Sequence, residues 1–298
     1  MIVPQLLLNA KAVLGEGPIW DVASQRLYWL DIEQGLVHVH DPNGESDQVF
    51  EIGCRVGALA VTNDDRFLLA TERGFEFFDP ASPESGPTLV ATPESDLPAN
   101  RFNDGKCDPR GRFVAGTMSM KKTVGAGSVY SFEPSYKSGE YAARRLFGDV
   151  TTSNGQAWSL SGDTMYYIDT PTLEVDALDY DLDTGEVANR RTVITFPDGV
   201  GRPDGMTSDA EGMLWICHWE GGRVTRWDPS SGELLETITM PVRRVTSCCF
   251  GGPNLERLYI TSARVGLSET DLLDQPLAGG LFVCEPGVRG RPMPRFAE

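Results

Sequence analysis

The segment WDVASQRLYWLDIEQGLVHVHDP, residues 20–42, contains a polar turn, a strongly apolar strand, a second turn and an alternating strand that ends in Asp-Pro. Proline cannot donate a hydrogen bond to a neighbouring strand, so the Asp-Pro pair ends the pairing and starts a turn. The polar turn and the apolar strand recur in the same order along the rest of the chain, which indicates a fold assembled from six similar units. The five further copies are at 61–70, 107–116, 160–168, 208–217 and 250–260.

The alternating strand also occurs six times, and an acid followed by proline ends every copy except the fourth, where Leu182 takes the place of proline. Each unit offers about four strands in roughly 40 to 50 residues, the size of a propeller blade. The sequence therefore predicts an all-β fold, a six-bladed β-propeller with four-stranded antiparallel blades. The outermost strands of the first five blades are predicted at 46–52, 88–92, 142–147, 191–196 and 234–240.

Closure of the ring follows from the two ends of the chain. The last unit is one strand short, since it runs out near residues 292–296, and residues 4–10 precede the first unit as an unassigned strand. We expect this N-terminal strand to complete the last blade, because the pairing removes an exposed sheet edge. Residues 1–298 are then a single domain, with helix expected only as one turn at Ser268–Leu273.

Composition narrows the classes of function. The net charge of -17 argues against binding to nucleic acid or to an anionic membrane surface. No apolar run reaches the ~18 residues of a spanning helix. Pro4 and Gln5 interrupt the N-terminal apolar stretch, which is predicted as a strand and not as a secretory signal.

The six cysteines form no C-x-x-C pair. We expect buried free thiols, a cytoplasmic protein, and a monomer or weak homo-oligomer.

Four units place an oxygen-bearing side chain at one position of the repeat. Counting back ten or eleven residues from the first apolar residue of the apolar strand gives Glu16, Asn103, Asn154 and Asp204. This position is predicted to precede the innermost strand of each blade, beside the ring axis. Asn-Gly and Asp-Gly are also ordinary turn dipeptides, but four such residues in register favour an assembled site.

The side chains of this register are all oxygen donors. Two carboxylates and one or two amide oxygens suit Ca²⁺, Mg²⁺ or Mn²⁺, with Zn²⁺ as an alternative. None of the three histidines belongs to the register. His38 and His40 share one face of a middle strand, away from any predicted site, whereas His218 follows the apolar strand of the fifth unit and is a candidate to border the site.

Several motifs together carry a family resemblance. L-G-E-G-P-I-W, N-R-F-N-D-G-K, S-N-G and P-D-G-M, in this order, make residues 13–284 resemble the senescence-marker-protein/gluconolactonase/luciferin-regenerating-enzyme family. The resemblance implies a six-bladed propeller with one axial divalent cation, with Ca²⁺ favoured over Zn²⁺, Mg²⁺, Mn²⁺ or Fe²⁺. It also implies roles for five residues of this chain: Glu16, Asn154 and Asp204 as metal ligands, Asp204 also as general base, and Arg101 and Asn103 in substrate binding.

The resemblance implies a metal-dependent hydrolase that opens a sugar lactone such as glucono-1,5-lactone, with a metal-polarised carbonyl and a metal-activated water. A calcium-binding regulatory protein without turnover, or a metal-dependent hydrolase of another ester, is the alternative. One departure affects specificity. Where family members carry acidic residues, one of which contacts the sugar, residues 119–123 read Ser-Met-Lys-Lys-Thr. With Lys121 and Lys122 in this loop, the resemblance does not determine which sugar lactone is the preferred substrate.

Overall fold

The computed structural model describes residues 2–44, 46–134 and 140–297. Strands β1 to β24, numbered in chain order, form six four-stranded antiparallel sheets within these ranges. The predicted six-bladed β-propeller is therefore confirmed. In the described ranges, no helix is long and apolar enough to cross a membrane.

The first five blades each consist of four consecutive strands. Blades one and two contain β2 Gly15–Asp21, β3 Arg26–Asp31, β4 Leu36–Asp41, β5 Ser46–Glu51, β6 Val56–Val61, β7 Phe67–Thr71, β8 Phe75–Phe78 and β9 Thr88–Ala91. Blades three and four contain β10 Asn100–Cys107, β11 Phe113–Ser119, β12 Gly127–Pro134, β13 Tyr141–Val150, β14 Ser153–Trp158, β15 Thr164–Asp169, β16 Glu174–Tyr180 and β17 Val187–Thr195. Blade five contains β18 Arg202–Ser208, β19 Leu214–Trp219, β20 Arg223–Asp228 and β21 Glu233–Thr239.

Blade six contains strands from both ends of the chain. Its inner strands are β22 Val245–Gly251, β23 Arg257–Ser262 and β24 Leu281–Cys284. The outermost strand is β1 Gln5–Leu8, which pairs antiparallel with β24. The prediction that the N-terminal strand completes the last blade is confirmed, because β1 is the fourth strand of this sheet.

Within the described residues, helix is confined to three short segments. Two 3-10 turns, Pro83–Ser85 and Thr170–Thr172, lie between strands. The one α-helix of the described residues, α1 Glu269–Asp274, lies between β23 and β24, where one helical turn was predicted. Ser268 caps it: the Ser268 hydroxyl accepts from the Asp271 N–H at 3.1 Å, and the Asp271 carboxylate accepts from the Ser268 N–H at 3.0 Å.

The C-terminal segment, residues 285–297, crosses from blade six to other blades. Gly290 forms an isolated bridge with Asp209 of the fifth unit. The Arg295 guanidinium donates to both carboxylate oxygens of Asp21, at 2.8 and 2.7 Å. Phe296 is fully buried in a core cluster formed by side chains of blades two and three. These contacts connect the end of the chain to blades one, two, three and five, so the segment braces the ring.

The cysteines lie in the core as thiols. All six are free, five are buried, and Cys54 is partly exposed. The prediction of free, largely buried thiols is confirmed. Burial raises the pKa of the Cys54 thiol to about 11, so this most accessible cysteine is a thiol and not a thiolate at neutral pH.

Candidate active site at the ring axis

The innermost strand of every blade is interrupted at an equivalent place. The pairing between the first and second strands shifts register there, as a bulge does, and a bulge re-aims the side chains beside it. The predicted site residues therefore lie within the innermost strands, not before them as the sequence suggested. The prediction missed this because a bulge interrupts pairing only locally and the strand continues on both sides. The shifts lie between Glu16 and Ile19, Val56 and Ala58, Phe102 and Asp104, Asn154 and Gln156, Pro203 and Met206, and Val245 and Cys248.

Glycines beside the polar residues allow neighbouring innermost strands to approach each other. A Cβ on Gly155 would lie 2.7 Å from the Met206 Cβ and 2.8 Å from the Asp204 carbonyl oxygen. A Cβ on Gly205 would likewise overlap Ser247 of the next blade. The Asn-Gly and Asp-Gly pairs are therefore required by close strand packing at the axis, which a simple surface turn would not need.

The structure brings the four side chains of the register together. Glu16, Asn103, Asn154 and Asp204 are all buried, at 4 to 8% exposure. Nδ2 of Asn103 donates to the Ser153 carbonyl oxygen at 2.7 Å and lies 3.3 Å from Oδ1 of Asn154. The charge of Asp204 contributes to the raised pKa of Glu16, as expected for two buried carboxylates near each other.

A second bond fixes the Asn154 amide. Its Nδ2 donates to the Thr170 hydroxyl at 2.8 Å, and this hydroxyl donates to the Pro203 carbonyl oxygen at 2.9 Å. Thr170 begins the 3-10 turn that follows β15, so blade four itself holds the amide. The bond to Thr170 orients the Asn154 amide so that its oxygen faces Asn103.

Burial dominates the electrostatics of the two carboxylates. The pKa of Glu16 is raised well above its ordinary value by burial, then by the charges of Asp204 and Asp104. The pKa of Asp204 is raised by burial and by Asp104, against the lowering effect of hydrogen bonds from the Gly205 N–H and the Asn154 side chain. Two buried carboxylates repel each other when both are ionised. A cation bound between them would stabilise their ionised forms.

The donor set fits a hard cation. Across the described part of the chain, no group of three or more His, Cys, Asp or Glu side chains is arranged to hold a metal ion. The predicted set is of a different kind, because it combines the carboxylates of Glu16 and Asp204 with the amide oxygen of Asn154. Oxygen donors of this type suit Ca²⁺ or Mg²⁺ better than a thiophilic metal.

The imidazoles of His38 and His218 lie close to polar groups outside the predicted register. His38 and His40 are on β4, the third strand of blade one, and Nδ1 of His38 lies 2.8 Å from an Asp47 carboxylate oxygen. Nε2 of His218 is 2.7 Å from the Thr225 hydroxyl on β20, the third strand of blade five. His218 is paired across the sheet with Pro203 of the innermost strand, and burial lowers its pKa to about 4.

Arg101 lies beside the predicted site and is 7% exposed. Its Nη1 donates to the Phe102 carbonyl oxygen at 2.9 Å and to Oδ1 of Asn103 at 2.8 Å. Burial lowers its pKa, while the charges of Glu33, Glu16 and Glu72 act in the opposite direction. Arg101 thus orients the Asn103 amide and supplies positive charge close to Glu16.

Asp104 is a residue that the sequence analysis missed. It is buried, its charge raises the pKa values of both Glu16 and Asp204, and burial raises its own pKa. The opposing charge is that of Lys106, whose Nζ donates to the Met206 carbonyl oxygen of blade five at 2.6 Å. The signal was present in N-D-G-K, but a single acid in a turn-like motif gives no indication of proximity to two other blades.

The loop that departs from the family pattern is exposed. Lys121 and Lys122 both have exposed side chains, and the Lys121 N–H donates to the Ser119 hydroxyl at 3.3 Å. Lys122 has a positive φ of 57°. The loop thus presents two cations to solvent after strand β11 and adds no acidic group.

A family model described as the SMP-30/Gluconolactonase/LRE-like region matches residues 14–264. The chain belongs to this family. The matched segment extends from β2 through β23 and includes all five predicted site residues of this chain.

Similar proteins agree with this membership. Regucalcin from Xenopus laevis is 38% identical to this family member over 290 residues, 95% of each chain. The Bacillus subtilis (strain 168) protein YvrE, which is named for a sugar lactone lactonase activity, is 37% identical over 287 residues, 96% of each chain. The crystal structure of a calcium-binding protein, regucalcin, from Agrobacterium tumefaciens str. C58 has a TM-score of 0.91 at 32% identity and covers 99% of this chain and 97% of its own. The relatives thus support a lactonase-type function.

Proposed function

We propose that the protein is a metal-dependent lactonase that hydrolyses a sugar lactone such as glucono-1,5-lactone. The observation that carries the proposal is the pair of buried carboxylates, Glu16 and Asp204, held at the ring axis with the amides of Asn103 and Asn154. Such a pair is costly to leave ionised without a cation. The names of relatives, sugar lactone lactonase among them, support the same reaction class.

Glu16, Asn154 and Asp204 are the proposed ligands of one divalent cation, Ca²⁺ in the first place, with Zn²⁺, Mg²⁺, Mn²⁺ or Fe²⁺ as alternatives. When bound, a divalent cation polarises a carbonyl group and lowers the pKa of water. The neutral Asn154 amide adds no negative charge. Because its three ligands carry only two negative charges in total, the divalent cation would still attract a carbonyl oxygen of the substrate.

Asp204 is the proposed general base. Its carboxylate takes a proton from the water that attacks the lactone carbonyl carbon, and the ring C–O bond then breaks. The proton returns to the departing ring oxygen, so lactone and water give the hydroxy acid. The buried environment that raises the pKa of Asp204 also makes its ionised form a stronger base.

Arg101 and Asn103 are the proposed substrate-binding residues. Nη1 of Arg101 already holds Asn103, and a guanidinium has further N–H donors on its other nitrogens. These donors are suited to sugar hydroxyls or to the oxygen on which negative charge develops. The fixed planar fork of arginine suits this task better than a flexible ammonium.

The deciding experiment follows acid release from glucono-1,5-lactone in a pH-stat. We expect catalysed turnover that EDTA abolishes and that Ca²⁺, Zn²⁺, Mg²⁺, Mn²⁺ or Fe²⁺ restores to different degrees. The Asp204→Asn variant should be inactive with every metal, whereas Asp183→Asn, at a carboxylate that is 85% exposed, should match the wild type. Full turnover in EDTA would exclude the proposed metal dependence.

Two alternatives have their own support. Relatives named regucalcin, one described as a calcium-binding protein, favour a binding role without turnover. Saturable Ca²⁺ binding with no acid release from any lactone would support that role. The exposed Lys121 and Lys122 favour another ester substrate, and a panel of aldonolactones and acyclic esters distinguishes this alternative.

A further inference from the structure

A cavity lies further along the same innermost strands. Lys106, Ala157 and Thr207 line it, and each follows a predicted site residue by three positions. A strand advances ~3.3 Å per residue, so these positions are about 10 Å beyond the axial carboxylates. The cavity has a volume of about 310 Å³, within the range of small-molecule sites, and residues 291–294 of the C-terminal segment form one wall. We call it the lower cavity.

The charge of the lower cavity is opposite to that of the whole molecule. Lys106 and Arg291 line it, and none of its lining residues is Asp or Glu, although the chain has a net charge of -17. No ion pair between described residues includes either cation, although the charge of Lys106 also lowers the pKa of the buried Asp104 carboxyl. Lys106 donates to the Met206 carbonyl oxygen, and Nη1 of Arg291 donates to the carbonyl oxygens of Trp158 and Ser159 at 3.3 and 3.1 Å. An ammonium has three donors, so Lys106 can bind an anion while it keeps this bond.

The remaining wall is largely apolar. Pro292, Met293 and Pro294 of the C-terminal segment line the cavity together with Ala157 and Trp158. The neutral residues Cys107, Pro109, Thr207 and Ser208 complete the lining. Carbon surface of this kind binds a hydrocarbon body, and the two cations select an anionic head group.

We propose that the lower cavity binds a small organic monocarboxylate with an apolar alkyl or aryl body. The carboxylate pairs with Lys106 and Arg291, and the body packs on Pro292, Met293 and Pro294. A heavily hydroxylated sugar acid is a poorer occupant, because its hydroxyls would lose water against these carbon walls. The site is separate from the proposed lactonase centre and goes beyond that function.

The test uses hexanoate and isothermal titration calorimetry on the full chain in EDTA. We expect saturable binding of hexanoate, with 1-hexanol and gluconate at least ~10-fold weaker, because one lacks the charge and the other the apolar body. Equal binding of hexanol and hexanoate would show that the cations do not contribute to binding, and it would overturn the proposal. The absence of hexanoate binding at 25 °C would also overturn it.

Variants locate the binding. Lys106→Met and Arg291→Gln should each weaken hexanoate binding about 10-fold, and Met293→Trp should block it by filling the cavity. Lys11→Met removes the same charge from an exposed site and should bind hexanoate like the wild type. If Lys106→Met fails to fold, Arg291→Gln and Met293→Trp still test whether hexanoate binds in the lower cavity. Wild-type affinity in the folded cavity variants would contradict the proposed location.

The two proposals fail separately. EDTA removes any axial cation, so hexanoate binding in EDTA does not depend on the lactonase centre. A protein that binds hexanoate but hydrolyses no lactone contradicts only the proposed function. If Ca²⁺ or a lactone competes with hexanoate while Met293→Trp still binds it, the carboxylate lies at the axis and the lower-cavity proposal is wrong.

Discussion

Arg101 donates a hydrogen bond from Nη1 to Oδ1 of Asn103 at 2.8 Å, and Nδ2 of Asn103 in turn lies 3.3 Å from Oδ1 of Asn154. The three side chains therefore form a connected set from the arginine to a proposed metal ligand. Because each amide has one oxygen and one nitrogen, the Arg101 bond also fixes which atom Asn103 turns toward Asn154. Substitution of Arg101 should consequently disturb more than its own substrate contacts.

Arg101→Met should raise KM for glucono-1,5-lactone by about 10-fold or more, because it removes a charged donor and frees the Asn103 amide. Steady-state kinetics at saturating metal separate KM from kcat. Arg110→Met removes an arginine of the same unit whose side chain is 61% exposed, and it should leave both constants unchanged. An unchanged KM with a lowered kcat would assign Arg101 to stabilisation of the transition state.

Glu16→Gln and Asp204→Asn should each lower kcat/KM by at least ~10²-fold, the scale of losing a principal electrostatic group. Activity assays with a range of metal concentrations distinguish lost chemistry from lost metal affinity. Excess metal should recover part of the Glu16→Gln rate but not the Asp204→Asn rate, because Asp204 is also the proposed base. Wild-type rates in either variant would remove that residue from the mechanism.

The same Asp204→Asn substitution should stabilise the metal-free protein. The folded state raises the pKa of Asp204, so the carboxyl contributes stability below its ordinary pKa of about 4 that is lost as pH rises through the folded pKa. In EDTA, the melting temperature of the variant should therefore exceed that of the wild type at pH 8, and the difference should shrink toward pH 4. A lower melting temperature at pH 8 would show that the carboxylate stabilises the fold.

Asp104→Asn should weaken binding of a divalent cation by about 10-fold, because it removes a buried negative charge that acts on both Glu16 and Asp204. Calorimetric titration of Ca²⁺ measures this effect directly. The matched control is Asp183→Asn, which changes the net charge equally from an exposed position. Equal loss of affinity in both variants would mean that only the overall charge matters.

Asp21→Asn should lower the free energy of unfolding by about 1 kcal/mol at pH 7, because solvent screening reduces the full value of the pKa shift. Burial raises the pKa of Asp21, but hydrogen bonds from Arg295 and Ser24 outweigh it and lower the pKa from 3.8 to about 2. The stabilisation is present above the unfolded pKa and is lost as pH falls through the folded value. Denaturant unfolding should thus show the wild type and the variant converging between about pH 4 and pH 2, and a pH-independent difference would contradict the ion pair as its source.

Much of the fold could be predicted from the sequence, because each blade repeats a pattern that is local in the chain. Alternation of apolar residues located the strands, and the missing strand of the last unit predicted the pairing of β1 with β24. The same register selected Glu16, Asn103, Asn154 and Asp204, which the structure brings to one buried space. A repeated local pattern is sufficient here because equivalent positions of a ring meet at its axis.

Only the tertiary structure decided which further groups reach that space. The influence of Asp104 on two other blades, and the bond from Lys106 to Met206, join residues about a hundred positions apart. The pairing of Arg295 with Asp21 spans 274 positions. No local pattern encodes such contacts, since they depend on how blades and the C-terminal segment pack. The sequence by itself thus determined the blades and the axial register, whereas packing between blades decided the charges around them.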